Sequence, residues 1–348
     1  MVLVTGATGF LGGSLVSRLL ADGARVRMLT RSPERAKPWT DQGAQIIAGD
    51  VTDQAAVGAA VEGAQVVYHL AGRLLVPGVP AEEYRRTHVD GTKMLLECCR
   101  HAPDLVRFVH CSTTGVLGVT GDDPADENAR IRPTNIYEAT KASAELLVRD
   151  TWRAGFPAVI ARPGLVYGPG DLHLLPFVRS VLSRRFLPIG RRAVWLHPIY
   201  IDDLIEALVR CGHRDTAVGE CFHLAGPEPV SVADLADAFA RAGGTRLPPG
   251  HVPLPAARVA ALLGDGLPRG LQASAPLTRS RLDFLTHSRT YDVTKASRLL
   301  DFTAPTDLTT GAARTLSWYL EQGLVRSRWP RRAPAKDEGM PYESRIPS

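Results

Sequence analysis

Along the first half of the chain, short apolar runs rich in β-branched residues alternate with stretches whose apolar residues recur at helical spacing. The runs VLVTG from Val2, RVRMLTR from Arg25, AQIIAGD from Ala44, AQVVYHLAG from Ala64, VRFVHCST from Val106 and FPAVIARPGLVYG from Phe156 read as six strands. Between them, EYRRTHVDGTKMLLECCRHA from Glu83 and YEATKASAELLVRDTWRAG from Tyr137 read as helices. Near-continuous apolar strands alternating with helices predict a parallel sheet buried on both faces, because each parallel crossover lays a helix across the sheet. The expected fold class is α/β, with a doubly wound parallel sheet.

After Gly168 the pattern changes to prolines, arginines and irregular apolar segments, through PGDLHLLPFVRSVLSRRFLPIGRRAVWLHP. The stretches IYIDDLIEALVRC and GECFHLAG then read as a helix and a strand returning to the sheet. From about Val230 the chain is helical and punctuated by proline, as in VADLADAFARAG and VPLPAARVAALLG. Residues 1–168 with about 196–228 are therefore expected to form the dinucleotide-binding domain. About 169–195 with 229–325 form a smaller, mostly helical substrate-binding domain, and 326–348 a loosely held basic, proline-rich tail.

The first strand runs directly into Gly6, Gly9 and Gly12, and Leu11, Leu15 and Leu19 then mark a helix. A helix N-terminus offers unpaired N–H groups and a positive dipole end, so a pyrophosphate can sit there if no side chain blocks it. Gly6 permits the tight turn, Gly9 the close approach, and Gly12 the packing of helix on strand. The spacing is G-x-x-G-x-x-G, and glycine-rich turns also serve purely structural ends; the position between strand and helix favours dinucleotide binding.

The second strand ends in Thr30 and Arg31, with no acid where one would accept from the adenine ribose hydroxyls. Arg31 presents a permanently charged planar fork suited to a 2′-phosphate, so NADP(H) is favoured over NAD(H). The alternative is that Arg31 and Arg35 are solvated loop charges. Asp50 and Val51, after the third strand, are placed to meet the adenine ring, although Gly-Asp is also an ordinary turn.

Tyr137 and Lys141 are four apart on a predicted helix and so share a face. A nearby ammonium lowers a phenol pKa, and the pair can then move a proton to or from a carbinol oxygen. Ser112 and Thr113, at the end of the fifth strand, are candidate donors to that oxygen. A Tyr-x-x-x-Lys pair arises by chance in many helices; its value here comes from standing downstream of the glycine turn and the hydroxyl cluster.

Composition narrows the classes. The 348 residues are 45% hydrophobic and 22% charged, with a net charge of +5, as expected of a globular chain. No apolar run approaches the roughly 20 residues of a membrane span, and the N-terminus lacks the pattern of a secretory signal. Five cysteines, odd in number and without C-x-x-C spacing, predict buried thiols in a cytoplasmic protein. The ten histidines show no metal-ligand spacing, so no metal is expected. No base-reading motif is present, so nucleic acid is not an expected partner.

The motifs TGATGFLG, GDVTD, HLAG, HVDGT, CSTTGVLG, YEATK, RPGLVYGPGD and HPIYIDDL, in this order over about residues 2–225, resemble the extended short-chain dehydrogenases/reductases. The resemblance implies a Rossmann fold and a nicotinamide cofactor. It implies that Gly6, Thr8, Gly9, Phe10, Leu11 and Gly12 hold the pyrophosphate, with Leu70, Ala71 and Gly72 lining the next strand end. It makes Tyr137 the acid/base, Lys141 the ligand of the nicotinamide ribose that depresses the tyrosine pKa, and Thr113 the orienting hydroxyl. Pro163, Leu165 and Val166 would pack on the nicotinamide amide. A homodimer through the helices near Met94 and Leu146 is a further family expectation.

Two positions depart from the family. His88 stands where many members carry the Asn of N-V-x-G-T, which implies a structural role with altered hydrogen bonds. Leu165 stands where sugar-nucleotide epimerases carry an Asn that contacts the diphosphate, which argues against such a substrate. The pattern is most similar to the 3β-hydroxysteroid dehydrogenase and dihydroflavonol-reductase branch. The expected substrate is a bulky, largely apolar ketone or secondary alcohol, with LHLLPFVRSVL and VPLPAARVAALLG covering it or merely packing the small domain. The alternatives are a sugar-nucleotide epimerase or dehydratase with bound NAD, using Arg184, Arg185, Arg191, Arg192, Arg279 and Arg281 for the diphosphate, and a non-catalytic NADP(H) sensor.

Overall fold

The structure is a computed structural model that describes residues 1–76, 78–267 and 277–326. Seven parallel strands form the central sheet: β1 (Val2–Thr5), β2 (Val26–Thr30), β3 (Gln45–Ala48), β4 (Val66–His69), β5 (Arg107–Cys111), β6 (Ala158–Pro163) and β7 (Cys221–Leu224). Their order is β7-β6-β5-β4-β1-β2-β3, the doubly wound arrangement, with its reversal between β1 and β4. All six expected strands form, and Cys221–Leu224 adds the seventh beside β6.

Side-chain alternation divides the sheet between two cores. Val4, Tyr68, Val109 and Val159 point to the face covered by α1 (Phe10–Ala21), while Leu3, Val67, Phe108 and Ile160 point to the other. That second face is covered by α2 (Gln54–Val61), α3 (Gly91–Arg100) and α4 (Ile136–Arg153). On the first face α5 (Ile201–His213) packs beside α1. The first core continues into α6 (Val232–Ala242) and the C-terminal helices. Among these, α7 (Leu254–Asp265) packs Ala257 and Ala261 with Leu282 of α8 (Arg279–Thr286) in a separate small cluster; α8 touches the first core through Phe284 and Leu285, and α9 (Leu308–Glu321) joins it. One apolar cluster thus spans both proposed domains. Beyond Arg326 the expected tail lies outside the described residues.

Two expected elements are interrupted. The sixth run is not one strand: β6 ends at Pro163, and Leu165–Tyr167 leaves the sheet to pair with Pro198–Tyr200. The break falls at Gly164, where a Cβ would run into the His197 carbonyl oxygen, so only glycine lets the two segments approach. The helix expected from Glu83 has a π-helical turn, Arg86–Asp90, before α3. Inside that turn His88 is buried, its Nδ1 2.8 Å from Thr140 Oγ1 and its Nε2 accepting from Arg73 N–H at 3.0 Å. The structural role anticipated for His88 is therefore a tie from this turn to α4.

Candidate active site

The β1–α1 turn shows what each glycine does. Gly6 is left-handed (φ +68°), and a Cβ there would come within 2.6 Å of the Leu70 carbonyl group. A Cβ on Gly12 would run into Gly6 O, so the helix could not sit this close to the turn. Gly9 is the exposed N-cap of α1; no side chain caps the helix and no acid stands in its first turn. The first N–H groups of Phe10, Leu11 and Gly12 are thus left for an outside acceptor. A pyrophosphate fits this cradle in charge and in shape. The Thr8 carbonyl accepts from Arg35 Nη2, and the Phe10 ring lies against Gly170, which ties the turn to the segment after β6.

At the adjacent strand ends Arg31 and Asp50 meet. Arg31 is 67% exposed, with Nη1 3.6 Å from Asp50 Oδ2. Partial burial raises the Asp50 pKa, but hydrogen bonds from Thr52 N and Oγ1, with the Arg31 and Arg86 charges, hold it below its ordinary value. Thr30 is buried and uses its hydroxyl locally, accepting from Ser32 N–H. After β4, Ala71 N–H donates to Thr5 Oγ1 at 3.2 Å, and Gly72 is exposed beside Lys141 Nζ. Val51 is buried against Gly91, while Leu165 and Val166 pair with Pro198 and Ile199.

The three hydroxyls after β5 have different duties. Ser112 Oγ donates to Glu145 Oε2 at 2.7 Å, and Thr114 Oγ1 donates to the Pro163 carbonyl at 3.0 Å; both side chains are buried. Thr113 Oγ1 instead accepts from Gly115 N–H at 3.1 Å and lies within hydrogen-bonding reach of Tyr137. Of the three hydroxyls, Thr113 is the one that faces Tyr137. Thr113→Val is accordingly expected to cut turnover while the fold survives. Ser112→Ala should mainly cost about 1–3 kcal/mol of stability, since it takes one donor from a buried carboxylate. Melting curves and steady-state rates separate the two, and a greater rate loss in Ser112→Ala would move the motif register by one residue.

Lys141 Nζ donates to the Cys111 carbonyl at 2.7 Å, and burial lowers its pKa. The Tyr137 phenol does not behave as the sequence suggests. Burial raises its pKa, with the Thr113 contact pulling the other way, and Lys141 does not offset the burial. With its pKa raised, the Tyr137 phenol stays protonated at neutral pH. Its ring meets the His88 ring edge-on at 5.6 Å.

Beneath this site lies a salt-bridge clamp that the sequence reading missed. Arg162 on β6 donates Nε to Glu145 Oε2 (2.9 Å) and Nη2 to Glu145 Oε1 (2.7 Å). Glu145 is fully buried and also receives Ser112 Oγ and Arg149 Nε. Glu145 stands one turn beyond Lys141 and two beyond Tyr137, so the clamp fixes the rotation of α4 against β5 and β6. Partnered carboxylate and guanidinium at this depth hold geometry more than they add stability. The only sequence signal was a polar pair in apolar surroundings, at Arg162 in a strand and Glu145 on an inner helix face.

The family model described as the NAD dependent epimerase/dehydratase family matches residues 2–225. The chain belongs to this family. It is an NAD(P)-dependent oxidoreductase of the extended short-chain dehydrogenase/reductase type. Among the relatives of this family member is the 4-hydroxy-2-methyl-3-oxo-4-farnesyl-3,4-dihydroquinoline-1-oxide ketoreductase of Stigmatella aurantiaca. It is 32% identical over 309 residues, covering 86% of this chain and 90% of the relative. A 3 beta-hydroxysteroid dehydrogenase/Delta 5→4-isomerase of Mycobacterium tuberculosis is 30% identical over 74% of this chain and 73% of its own. Among solved structures, MoeE5 in complex with UDP-glucose and NAD superimposes with a TM-score of 0.72 at 26% identity, covering 93% of this chain and 99% of the other. Among the described residues no helix of this family member is long and apolar enough to cross a membrane.

Proposed function

We propose that the chain is an NADP(H)-dependent ketoreductase, interconverting a ketone and a secondary alcohol on a bulky, largely apolar molecule. The observation that carries this reading is the pairing of a protonated, half-buried Tyr137 with the Thr113 hydroxyl, while Ser112 and Thr114 are committed elsewhere. A ketone oxygen between the two gains a hydrogen bond from Thr113 and a proton from Tyr137. The cofactor, when bound, supplies the hydride. Lys141 holds the ribose side of the site and keeps a positive charge beneath the tyrosine. Leu165, half-buried at the cleft edge, offers an apolar surface in place of a diphosphate contact. The farnesyl-quinoline ketoreductase and the steroid dehydrogenase among the relatives support an apolar substrate class.

A sugar-nucleotide reading has its own support in MoeE5 and in a cavity of about 550 Å³ that Arg191 and Arg192 help line. Incubation with NADPH and a panel of bulky ketones separates the two. Net NADPH consumption is expected; conversion of a UDP-sugar without net consumption would overturn the ketoreductase reading.

The cofactor preference rests on Arg31, exposed just after β2 and paired at 3.6 Å with Asp50. A 2′-phosphate offers it a stronger partner. NADPH should bind about tenfold or more tightly than NADH, from a charge-assisted bond of roughly 1.5–3 kcal/mol, and less so at high salt. Arg31→Ala should erase most of the preference and Thr30→Asp should reverse it. Dissociation constants that are equal in the wild type would mean that Arg31 stays with Asp50.

A further inference from the structure

Helix α7 is packed inside out. Its sequence, LPAARVAALLGD, is apolar nearly all round. Toward the protein it turns Ala257, Ala261 and Gly264, which are buried, against Leu282 of α8. Toward solvent it turns Val259 (57% exposed), Leu262 (53%) and Leu263 (70%). Folding alone would place the larger side chains inward, where they remove more apolar surface from water. The outward leucines therefore have another use. The other apolar segment singled out in the sequence behaves in the ordinary way: in Leu175–Leu182 the buried residues are Leu175, Val178 and Val181.

The surroundings of this face are basic. Residues 184–192 carry four arginines and no acid, and the described residues 246–267 and 277–281 carry four against Asp265 alone; of these eight, Arg192 pairs with Asp122 and Arg279 with Asp265. Val252, just before α7, is bridged to Ile189, which brings the first of these segments to the start of the helix. Arg191 Nε lies 3.4 Å from His251 there, and Arg258 is exposed on the helix itself. Three outward side chains offer a few hundred Å² at most, well short of the roughly 800 Å² that each partner of a stable dimer buries. A short apolar ridge flanked by arginines suits a surface that takes leucines into an apolar layer and meets cations with anionic headgroups.

We infer that α7 docks the protein on an anionic membrane surface, with Val259, Leu262 and Leu263 entering the headgroup–acyl boundary and Arg258 and Arg191 at the phosphates. The probe is co-sedimentation of the full chain with extruded vesicles of phosphatidylcholine alone and of phosphatidylcholine with about one third phosphatidylglycerol. Binding to the anionic vesicles is expected, weakening about tenfold or more from low to high salt as the arginine contacts are screened. Leu262→Glu with Leu263→Glu should abolish it, and Arg258→Ala should weaken it about fivefold. These positions are exposed, so the fold is expected to survive, and circular dichroism with cofactor binding verifies that.

Partitioning is read without turnover, so the result stands whichever substrate the enzyme takes. Absence of sedimentation at low salt would overturn the inference, as would equal sedimentation of wild type and the double variant. A wild-type dimer that the double variant converts to monomer, with neither binding vesicles, would assign the ridge to a second copy of the chain instead.

Discussion

Replacing Tyr137 with phenylalanine should lower turnover about 10²–10⁴-fold, the range that a general acid commands, and leave cofactor affinity nearly unchanged. The substitution deletes one hydroxyl and keeps the ring that meets His88 edge-on, so the pocket wall survives. Because burial holds the phenol protonated, ketone reduction should stay flat from neutral pH to about pH 9 and fall only where the phenol ionises, above its ordinary value near 10. The reverse oxidation needs the phenolate and should rise over the same alkaline range. Near-full activity in Tyr137→Phe, or reduction that declines already between pH 7 and 8, would remove Tyr137 from the acid role.

Unfolding should be unusually sensitive to mild acid. His69, His88 and His223 are held at about 3, and His110 well below 6.5, chiefly by burial, with the charge of Lys141 adding to it at His69, His88 and His110 and that of Arg162 at His223. Unfolded, each returns to about 6.5 and takes up a proton. The unfolded state then binds more protons than the folded one, so stability falls as pH drops below 6.5, until the folded values are reached.

With four such groups the slope near pH 6 is on the order of 4 kcal/mol per pH unit, against a typical total of about 5–15 kcal/mol. Glu127, Asp171, Asp202 and Asp203 are raised by burial and act in the opposite sense, but from an ordinary carboxylate range near 4. Because that opposing effect extends upward from about 4, it offsets part of this slope, and the loss between 6.5 and 5.5 is the histidine contribution less that offset. Urea midpoints at pH 7.5 and 5.5 measure this, and equal midpoints would mean that the histidines are charged in the folded protein. His110 is the sharpest member, since neither of its ring nitrogens has a hydrogen-bond partner among the described residues.

What could be read beforehand was local. The glycine turn, the seven strands and the Tyr137–Lys141 face are patterns within a dozen residues, and their physics is steric or periodic. The sign of the Tyr137 shift was not legible, because it depends on how much protein covers the hydroxyl, which no spacing encodes. The clamp was not legible either. Ser112 and Arg162 lie 33 and 17 residues from Glu145, and charged residues in a sequence look solvated until the fold encloses them. The sixth run looked like one strand because Leu165–Tyr167 is as apolar as β6; only the approach of the His197 carbonyl reveals that Gly164 ends it.

The clamp also limits how this chain can change over generations. Glu145 locks α4 in rotation, and Tyr137 and Lys141 take their aim from that lock. Each residue advances an α-helix by about 100°. One inserted or deleted residue between Tyr137 and Glu145 would swing the phenol about a quarter-turn away from Thr113, however conservative its chemistry. Substitutions on the solvent side of that stretch, at Ser143 for instance, leave the aim untouched. Between these two positions descendants of this sequence can drift in composition but not in length.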